Sequence, residues 1–492
     1  MRNLDSTSSY RLRSLPLALA IAATCASISI AGEASPVFQP AMSPSDAYQE
    51  WATRHPVAAL SGDYLKFRPA ITSGTTITVN NCNDSGSGSL RAAIASANTG
   101  DTIDLSNRNC TISLTSGEIA FSQKDLIITG PGADKLTIDG GYSSGHYNRI
   151  FNHGGNGTLN ISGVTLTDAK YKTLNNDFAH GGCILSDGQV VLDSATLTDC
   201  STRAANGYIA SGSAIDAVNG VVLLDSVITG NFANAGSATG AAWGAAVYCH
   251  GDLTVKYSTV SENSAFGGSG DNTGGGIRTG YGDVYILAST IANNTADVYG
   301  GIHITNNTGS HTARIFNSTI SSNSVSFGTG GLGSAIPTTI ANSTIAFNSS
   351  AGTNNGAGVR ILDASADIQS SIIAENTSQS GLSDLDVASA TSVTGANNLI
   401  TQTVGTAPGG TLTACPLLGR LSDNGGLTQT HRLLANSPAI DAGNNNTGDF
   451  ANDQRGSGHQ RTYGSATDIG AFEDAGGTSD EIFRSEFENR CN

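Results

Sequence analysis

The sequence predicts an all-β fold, a right-handed parallel β-helix with a short N-terminal capping helix. Three observations predict this solenoid. Glycine accounts for 61 of the 492 residues, whereas charged residues make up 13% and aromatic residues 6% of the chain, a composition suited to tight, repeated turns. One short phrase recurs along the chain at a nearly fixed period, and a column of asparagines stays in register with it, as expected of stacked coils.

The recurring phrase is S-T-I-x-x-N, in which the apolar third residue marks the register. Successive marks lie 25 to 32 residues apart, and the spacing shortens toward the C-terminus. These marks are Leu166, Leu197, Ile228, Val260, Ile291, Ile320, Ile345 and Ile373. A second phrase, of small residues followed by an apolar one, repeats through Ile184, Ile215, Val247, Ile277, Ile302, Leu332 and Val359. Two registers with one period indicate two strands of the same coil, so residues 76–400 are predicted to form at least eight coils.

A column of asparagines lies three residues after the first register mark. Asparagine tolerates the left-handed backbone of a sharp turn, and stacked side-chain amides can hydrogen-bond from coil to coil. The column consists of Asn231, Asn263, Asn294, Asn323, Asn348 and Asn376. We therefore predict a structural asparagine ladder along the solenoid.

The ends of a solenoid expose an apolar cross-section that must be capped. Residues 89–98 place four apolar side chains on one helical face, which predicts a capping helix. Residues 32–75 are predicted to be a linker or a small appendage. The repeat fades beyond residue 400 into a segment rich in glycine and asparagine.

The chain carries 24 Lys and Arg against 40 Asp and Glu, a formal net charge of -16, which argues against a nucleic-acid surface. Arginines precede an apolar run from Leu15 to Ala23, and small residues follow, which predicts a signal peptide over residues 1–31. A lipid anchor on Cys25 is the weaker alternative. We expect a secreted or cell-surface monomer without a transmembrane span after removal of this segment.

Seven cysteines lie beyond the predicted signal peptide, and none shows the spacing of a sulfur-bound metal site. Export permits disulfides. The preferred bridge joins Cys82 to Cys110, which flank the predicted helix. The odd count leaves at least one thiol free or paired with another chain, and the remaining pairings stay open.

The predicted N-terminal cap resembles a known family. Residues 88–94 (GSLRAAI) and 100–105 (GDTIDL) are similar to the cap of CSLREA-type surface β-helices, which are named for a C-S-L-R-E-A core. This chain departs from that core at Gly88 and Ala92, where the name has Cys and Glu.

The C-terminal stretch, residues 401–473, resembles a choice-of-anchor Q domain in three pieces. These are residues 423–431 (DNGGLTQTH), residues 436–443 (NSPAIDAG), and residues 453–456 (DQRG) leading to 468–473 (DIGAFE). Together the two resemblances imply a bacterial β-helix that is secreted or displayed at the surface and has no established catalytic activity. Residues 474–492 are then a short C-terminal tail.

One outward column is the candidate binding surface. The neighbours of an inward strand residue point outward, so the position after the second register mark forms a column with Asp216, Tyr248, Arg278, His303 and Arg360. Adjacent coils lie about 4.8 Å apart, so Asp216 and His303 are separated by roughly 14 Å, the length of a few sugar units. One hypothesis is a stripe that binds an extended glycan. The sequence favours the alternative, an ordinary polar outer face.

The sequence offers little material for catalysis. The carboxylates of Asp384 and Asp386 are predicted to lie in a solvated turn. His180, His250 and His303 fall in different columns, so no Ser-His-Asp set is predicted. No metal site is predicted.

These observations favour a non-enzymatic protein that acts in adhesion or in contact with matrix, envelope or glycan, with no cofactor. The alternative is a polysaccharide lyase or glycoside hydrolase that acts on an extended acidic glycan, in which case only a lyase calls for calcium. That alternative rests on analogy between folds.

Overall fold

The computed structural model describes residues 74–476, apart from 174–176, 206–207, 237–239, 269–271, 306–309, 354–355 and 446–449. The predicted signal peptide and almost all of the predicted linker and tail lie outside the described residues. Within the described part the chain is an all-β, right-handed parallel solenoid with very little helix. The predicted fold class is confirmed.

Each coil of the solenoid contains up to five strands, and each strand pairs in parallel with its counterpart one coil later. The strands of one coil are, in order, Gln189–Asp193, Thr196–Thr198, Cys200–Arg203, Ala210–Ser211 and Ile215–Ala217. They belong to five sheets, which we number 1 to 5 in this order. Because pairing runs between coils, backbone donors and acceptors are satisfied without crossover helices.

Sheets 1 and 2 run along nearly the whole solenoid, with twelve and eleven strands. Sheet 1 consists of Thr76–Thr78, Thr102–Asp104, Leu126–Thr129, Thr158–Ser162, Gln189–Asp193, Gly220–Leu224, Asp252–Lys256, Val284–Leu287, Ala313–Phe316, Thr338–Ala341, Ser365–Gln369 and Ser392–Thr394. Sheet 2 consists of Cys110–Ser113, Leu136–Asp139, Thr165–Thr167, Thr196–Thr198, Val227–Thr229, Thr259–Ser261, Thr290–Ala292, Thr319–Ser321, Thr344–Ala346, Ile372–Ala374 and Leu399–Ile400.

Sheets 3, 4 and 5 have nine, three and eleven strands. Sheet 3 consists of Ala169–Lys172, Cys200–Arg203, Phe232–Asn234, Ser264–Phe266, Thr295–Ala296, Ser324–Val325, Ser349–Ser350, Thr377–Ser378 and the antiparallel Gly381–Leu382. Sheet 4 consists of Ala179–His180, Ala210–Ser211 and Ala242–Trp243. Sheet 5 consists of Ile119–Phe121, Phe151–His153, Ile184–Ser186, Ile215–Ala217, Val247–Cys249, Ile277–Thr279, Ile302–Ile304, Leu332–Ser334, Val359–Ile361, Leu385–Asp386 and Thr403–Val404.

Apolar columns fill the interior. The predicted register marks from Leu166 to Ile373 pair in register in sheet 2, and all are fully buried. The second set, from Ile184 to Val359, does the same in sheet 5. Full burial of one such side chain contributes about 1.5–3 kcal/mol, so these columns are a large part of what holds the coils together.

The six predicted asparagines form a continuous, buried ladder. Each Nδ2 donates to the Oδ1 of the asparagine one coil later at 2.8–2.9 Å, and the backbone N–H donates to the same oxygen at 2.9–3.0 Å. The left-handed residue is the one before each ladder position, such as Glu262 at φ 58° and Phe347 at φ 59°. The predicted backbone reason for asparagine was therefore wrong. The side-chain amide is selected because it both donates and accepts.

Both ends of the ladder are closed. The backbone N–H of Cys200 donates to Asn231 Oδ1 at 3.0 Å. At the other end Asp384 Oδ1 accepts from the backbone and side chain of Asn376 at 2.9 and 3.0 Å, while its Oδ2 accepts from Gln402 N at 3.0 Å. Asp384 is 0% exposed, and burial raises the pKa of its carboxyl despite these donors. The prediction that Asp384 lies in a solvated turn was wrong, because a ladder of amides needs a final acceptor.

A second ladder, of serines, accompanies the first and was not predicted. Each serine Oγ accepts from the backbone N–H of the ladder residue one coil earlier at 3.1–3.2 Å, which is a serine except for Ala195 at the first position. Each also donates to the carbonyl two residues before it. The ladder consists of Ser226, Ser258, Ser289, Ser318, Ser343 and Ser371, and Asn398 Oδ1 closes it. It explains the serine of the S-T-I phrase.

A short helix caps the first coil. It spans Leu90–Ser96, and the side chain of Ser89 accepts a hydrogen bond from Ala92 N at its start. Leu90, Ala93 and Ile94 are buried. A 3-10 turn at Tyr142–Ser144 is the other helical element of the described part.

Two disulfides have both of their cysteines among the described residues. Cys82 and Cys110 form the first bridge, beside the capping helix. Cys183, at the sheet 5 strand of one coil, and Cys200, in the sheet 3 strand of the next coil, form the second bridge. Cys200 occupies the ladder position one coil before Asn231, so this disulfide lies at the N-terminal end of the asparagine ladder. Cys249 is a buried free cysteine, and burial raises the pKa of its thiol to about 12, which makes it unreactive.

The C-terminal segment returns along the outer face of sheet 2. It contains a hairpin of Leu418–Ser422 and Thr430–Leu433. Gln454 is fully buried between this segment and the solenoid, where its Nε2 donates to Thr290 Oγ1 at 3.0 Å and its Oε1 accepts from Thr319 Oγ1 at 2.6 Å. The threonine of the S-T-I phrase is thus the docking position for this segment.

Ionic contacts stabilise the C-terminal segment internally. Arg455 forms an ion pair with Asp453 at 2.7 Å, and its guanidinium lies 3.8 Å from the ring centroid of Phe472. Both residues belong to the DQRG piece of the sequence. Arg455 Nη2 also donates to the Glu473 carbonyl at 2.6 Å, and Glu473 N donates to Asp453 Oδ2 at 2.8 Å, so these contacts join residues 453–456 to residues 472–473.

We predict that Asn294→Ala lowers the stability of the fold by about 2–4 kcal/mol, because Asn263 loses its acceptor and a buried amide is left unsatisfied. The shift of the urea or thermal midpoint measures this loss. Asn293→Gly is the matched control, because Asn293 is exposed and left-handed at φ 56°. Equal midpoint shifts in the two variants would contradict a stabilising role of the ladder.

Candidate functional site

The predicted stripe residues lie in one column on sheet 5. Asp216, Tyr248, Arg278 and His303 are Cα partners in consecutive coils, and Gly333 and Arg360 continue the column. Their neighbours Ile215, Val247, Ile277 and Ile302 are fully buried in the interior. The stripe therefore faces outward, as its phase in the sequence predicts.

A second column stands beside the stripe and was missed at the sequence level. It follows sheet 4 and its continuation as single bridges, and consists of His180, Ser211, Trp243, Thr273, Tyr299 and Thr329. Left-handed glycines, such as Gly212 at φ 52° and Gly244 at φ 55°, turn the chain between the two columns. We call the two columns together the corner site.

Side chains of the two columns contact each other across the turn that separates them. Trp243 and Tyr248 have ring centroids 6.0 Å apart, and those of Tyr299 and His303 are 3.9 Å apart. The sequence signal for the second column is weak: each member lies just before the small-residue phrase, and its strands have only two residues.

A buried carboxylate organises one end of the corner site. Asp216 Oδ2 accepts from Ser211 Oγ at 2.5 Å and lies 2.9 Å from His180 Nδ1. Its Oδ1 lies 3.7 Å from His250 Nε2. The two imidazoles are about one third exposed, whereas Asp216 is 2% exposed. The structure thus brings together two histidines that the sequence placed in different columns.

The Asp216 cluster is not a Ser-His-Asp triad. Ser211 and Asp216 both contact the same nitrogen, His180 Nδ1, whereas a triad needs the serine and the carboxylate on opposite ring nitrogens. Ser211 is also fully buried. Burial alone raises the pKa of Asp216, but contacts with His180, His250 and Ser211 outweigh it and lower the pKa to about 2. Asp216 therefore remains a carboxylate that orients the two imidazoles.

Aromatic and cationic groups line the middle of the corner site. The Arg278 guanidinium lies 4.2 Å from the ring centroid of Trp243, and its Nη1 donates to Thr273 Oγ1. Tyr248 is 8% exposed, and burial raises the pKa of its hydroxyl although Arg278 opposes the shift. Side chains of the second column thus pack against the stripe residues and leave Tyr248 little exposed.

The next two coils continue the line of rings. The rings of Tyr299 and His303 are stacked at an interplanar angle of 17°. A Cβ at Gly333 would lie 2.1 Å from the Tyr299 ring, so glycine is required for the ring to rest there. Burial first, and then the charge of Arg278, hold the pKa of His303 well below its usual range. His303 is therefore a neutral imidazole.

The last stripe residue differs from the others. Arg360 Nε lies 3.3 Å from Asp386 Oδ2, the next position of the column. Asp386, expected in a solvated turn, is 8% exposed and engaged in this pair. The carboxylates of Asp216 and Asp386 both have partners in the protein, and a calcium ion needs several oxygen ligands at one place. Within the described ranges, no group of three or more His, Cys, Asp or Glu side chains is arranged so that it could hold a metal ion.

Comparison with known proteins finds matches among solved structures. No family model and no curated protein matches the chain. Among solved structures, pectate lyase Pel9A is 14% identical, with 82% of this chain and 97% of that chain covered and a TM-score of 0.41. An alginate lyase in complex with a trisaccharide is 12% identical, with coverages of 76% and 93% and a TM-score of 0.33.

No helix of the described part has the length and hydrophobicity to span a membrane.

We predict a pH-dependent stability difference between the wild type and Asp216→Asn. A carboxyl with a pKa of about 2 in the folded state stabilises the fold above its ordinary pKa of 3.8, by about 2 kcal/mol. This advantage is lost as the pH falls from 3.8 through 2, and urea midpoints across that range measure it. Asp134→Asn, at an exposed carboxylate, is the control. A pH-independent difference for Asp216→Asn would contradict the assignment.

Proposed function

We propose that this protein is an exported, non-enzymatic β-helix that binds an extended glycan along the corner site. The observation that carries the proposal is the line of rings and one guanidinium in consecutive coils, from Trp243 and Tyr248 through Arg278 to Tyr299 and His303. Aromatic rings offer flat apolar surfaces to sugar rings. Because successive coils lie about 4.8 Å apart, these groups recur along the solenoid and a polymeric glycan can contact several of them.

Polar groups of the corner site support this proposal. Among the described residues, Trp243 Nε1, His303 Nδ1 and Thr329 Oγ1 are buried and have no hydrogen-bond partner. Buried polar atoms are almost always satisfied, so each such atom requires an explanation. A glycan, with hydroxyls that both donate and accept, supplies partners of either kind.

Export and surface contact are part of the same proposal. The two disulfides are typical of an oxidising compartment, which agrees with the signal-peptide pattern of residues 1–31. The resemblances to CSLREA-type caps and to choice-of-anchor Q domains favour adhesion or contact with a matrix or envelope. The ligand is then a polysaccharide outside the cell.

We predict that the wild type binds extended oligosaccharides on a glycan array and that the double variant Tyr248→Ala, Arg278→Ala binds at least about tenfold more weakly, a loss of about 1.4 kcal/mol. The matched control is Tyr285→Ala, Arg314→Ala. Tyr285 and Arg314 are Cα partners on the outer face of sheet 1, as Tyr248 and Arg278 are on sheet 5. No binding by the wild type, or equal losses in both double variants, would overturn the proposal.

A second candidate function is a polysaccharide lyase, which the Asp216 cluster favours. Hydrolysis needs two carboxyl groups that face one bond. Among the stripe residues from Asp216 to Arg360, Asp216 is the only carboxylate. Elimination needs instead a base and an acid. His180 and His250, oriented by one carboxylate and partly exposed, are suitable groups.

The lyase candidate is tested by the absorbance of unsaturated products from acidic polysaccharides, with and without calcium. Cleavage by the wild type that is lost in His180→Asn and His250→Asn, with binding retained, establishes it. His146→Asn, two residues after the 3-10 turn Tyr142–Ser144 and outside the corner site, is the control. Absence of product from a glycan that the wild type binds rejects the lyase and leaves binding as the function.

A further inference from the structure

We infer that Phe178 is a second platform for a sugar ring, which extends the line of rings in the corner site by two coils and favours ligands of about five units or more. This inference rests on the proposed glycan-binding function and specifies the size of its ligand. It depends on where the Phe178 ring lies relative to the corner site. It also depends on the polar groups between this ring and the rings already described.

The ring of Phe178 is exposed and yet held in place. Phe178 is 42% exposed, and its ring centroid lies 5.5 Å from that of Tyr208, with an interplanar angle of 78°. Tyr208 in turn packs against a cluster of buried alanines that includes Ala179 and Ala210. The Phe178 ring therefore has an anchor within the protein and remains accessible to a ligand. A ring that is already fixed loses little side-chain entropy when a sugar stacks on it.

The Phe178 ring adjoins the second column of the corner site. Its centroid lies 5.7 Å from that of His180, the first residue of that column. From His180 the column runs through Ser211 to Trp243 and on to Tyr299. The coils of His180 and Tyr299 are about 19 Å apart, whereas those of Trp243 and Tyr299 are only about 10 Å apart. Because a sugar unit is about as long as one coil step, the longer span accommodates about five units and the shorter one about three.

A polar cluster lies between the Phe178 ring and the rings of Trp243 and Tyr248. His180 Nδ1 is 2.9 Å from Asp216 Oδ2, and Asp216 is in register with Tyr248 one coil later. The imidazole centroid of His250 lies 4.3 Å from that of the Tyr248 ring. Both imidazoles are about one third exposed. A glycan that contacts both groups of rings therefore passes two imidazoles that can hydrogen-bond to its hydroxyls.

Position, rather than exposure alone, distinguishes Phe178 from another exposed phenylalanine. Phe266 is 43% exposed, and its ring also has an aromatic neighbour, with the centroid of Phe232 at 5.8 Å. Phe266 lies on sheet 3, however, outside the corner site. It has the same residue type, exposure and kind of contact as Phe178 without the neighbouring imidazole of His180. Phe266 is therefore the matched control for a stacking role of Phe178.

The experiment measures affinity as a function of ligand length. The full chain is titrated in a calorimeter with oligomers of glucose, of N-acetylglucosamine and of galacturonate, from the dimer to the octamer of each. In each series that binds, we expect the affinity of the wild type to increase up to about the pentamer or hexamer and then to level off. The increase is expected because each added unit reaches a further group of the site until the Phe178 ring is also occupied.

Four variants test the role of the Phe178 ring. In Phe178→Ala the affinity is expected to level off at about the trimer, so that the hexamer binds about tenfold more weakly than in the wild type while the trimer binds equally. Phe178→Trp keeps a flat ring and is expected to retain the wild-type dependence on length. Tyr208→Ala removes the contact that holds the ring and is expected to give an intermediate loss for the hexamer. Phe266→Ala is expected to change neither affinity.

Each outcome is decisive. A wild-type affinity that levels off at the trimer, an unchanged dependence on length in Phe178→Ala, or an equal loss in Phe266→Ala would overturn the inference while glycan binding stands. No binding of any oligomer by the wild type would remove the proposed function as well. If Phe178→Ala fails to fold, the same comparison is made with Phe178→Leu, which keeps an apolar side chain without a ring. An unchanged dependence on length in that variant would also overturn the inference.

Discussion

The fold depends on one constraint: successive coils must stack in register, so that residues of the same kind lie directly above one another. The asparagine and serine ladders enforce this register from inside the turns. A shift of one coil against the next by a single residue would leave ladder amides buried without partners, at about 1–3 kcal/mol for each unsatisfied group. It would also turn the apolar columns outward. The ladder closes on Asp384 for the same reason, since its last amide still needs an acceptor.

The repeated phrase S-T-I-x-x-N can now be explained residue by residue. The serine forms one ladder, the isoleucine fills the core, and the asparagine forms the other ladder. The threonine points outward, and at Thr290 and Thr319 it binds Gln454 of the C-terminal segment. The serine, isoleucine and asparagine contact other residues of the solenoid and repeat in nearly every coil. The threonine contact depends on a segment more than a hundred residues away, which periodicity does not reveal.

The same distinction explains which parts of the fold and site were predictable. The register marks, the ladder positions and the outward phase of Asp216 and Tyr248 follow from local periodicity. The second column does not, because its strands are two residues long and carry no pattern. Its contact with the stripe requires left-handed glycines such as Gly244. The burial of Asp216 could not be predicted, since it results from His180 and Ser211 on strands of the neighbouring column.

The corner site spans coils of different lengths. Sheet 4 has true strands in the three coils whose register marks are 31, 31 and 32 residues apart, and it continues as single bridges in the coils of 31, 29 and 25 residues. Each of the first three coils therefore has an extra strand beside sheet 5. In the shorter coils, the ring of Tyr299 lies against Gly333 at the position of that strand. The ladders keep these coils aligned despite their different lengths, so the binding groups of successive coils remain in one line.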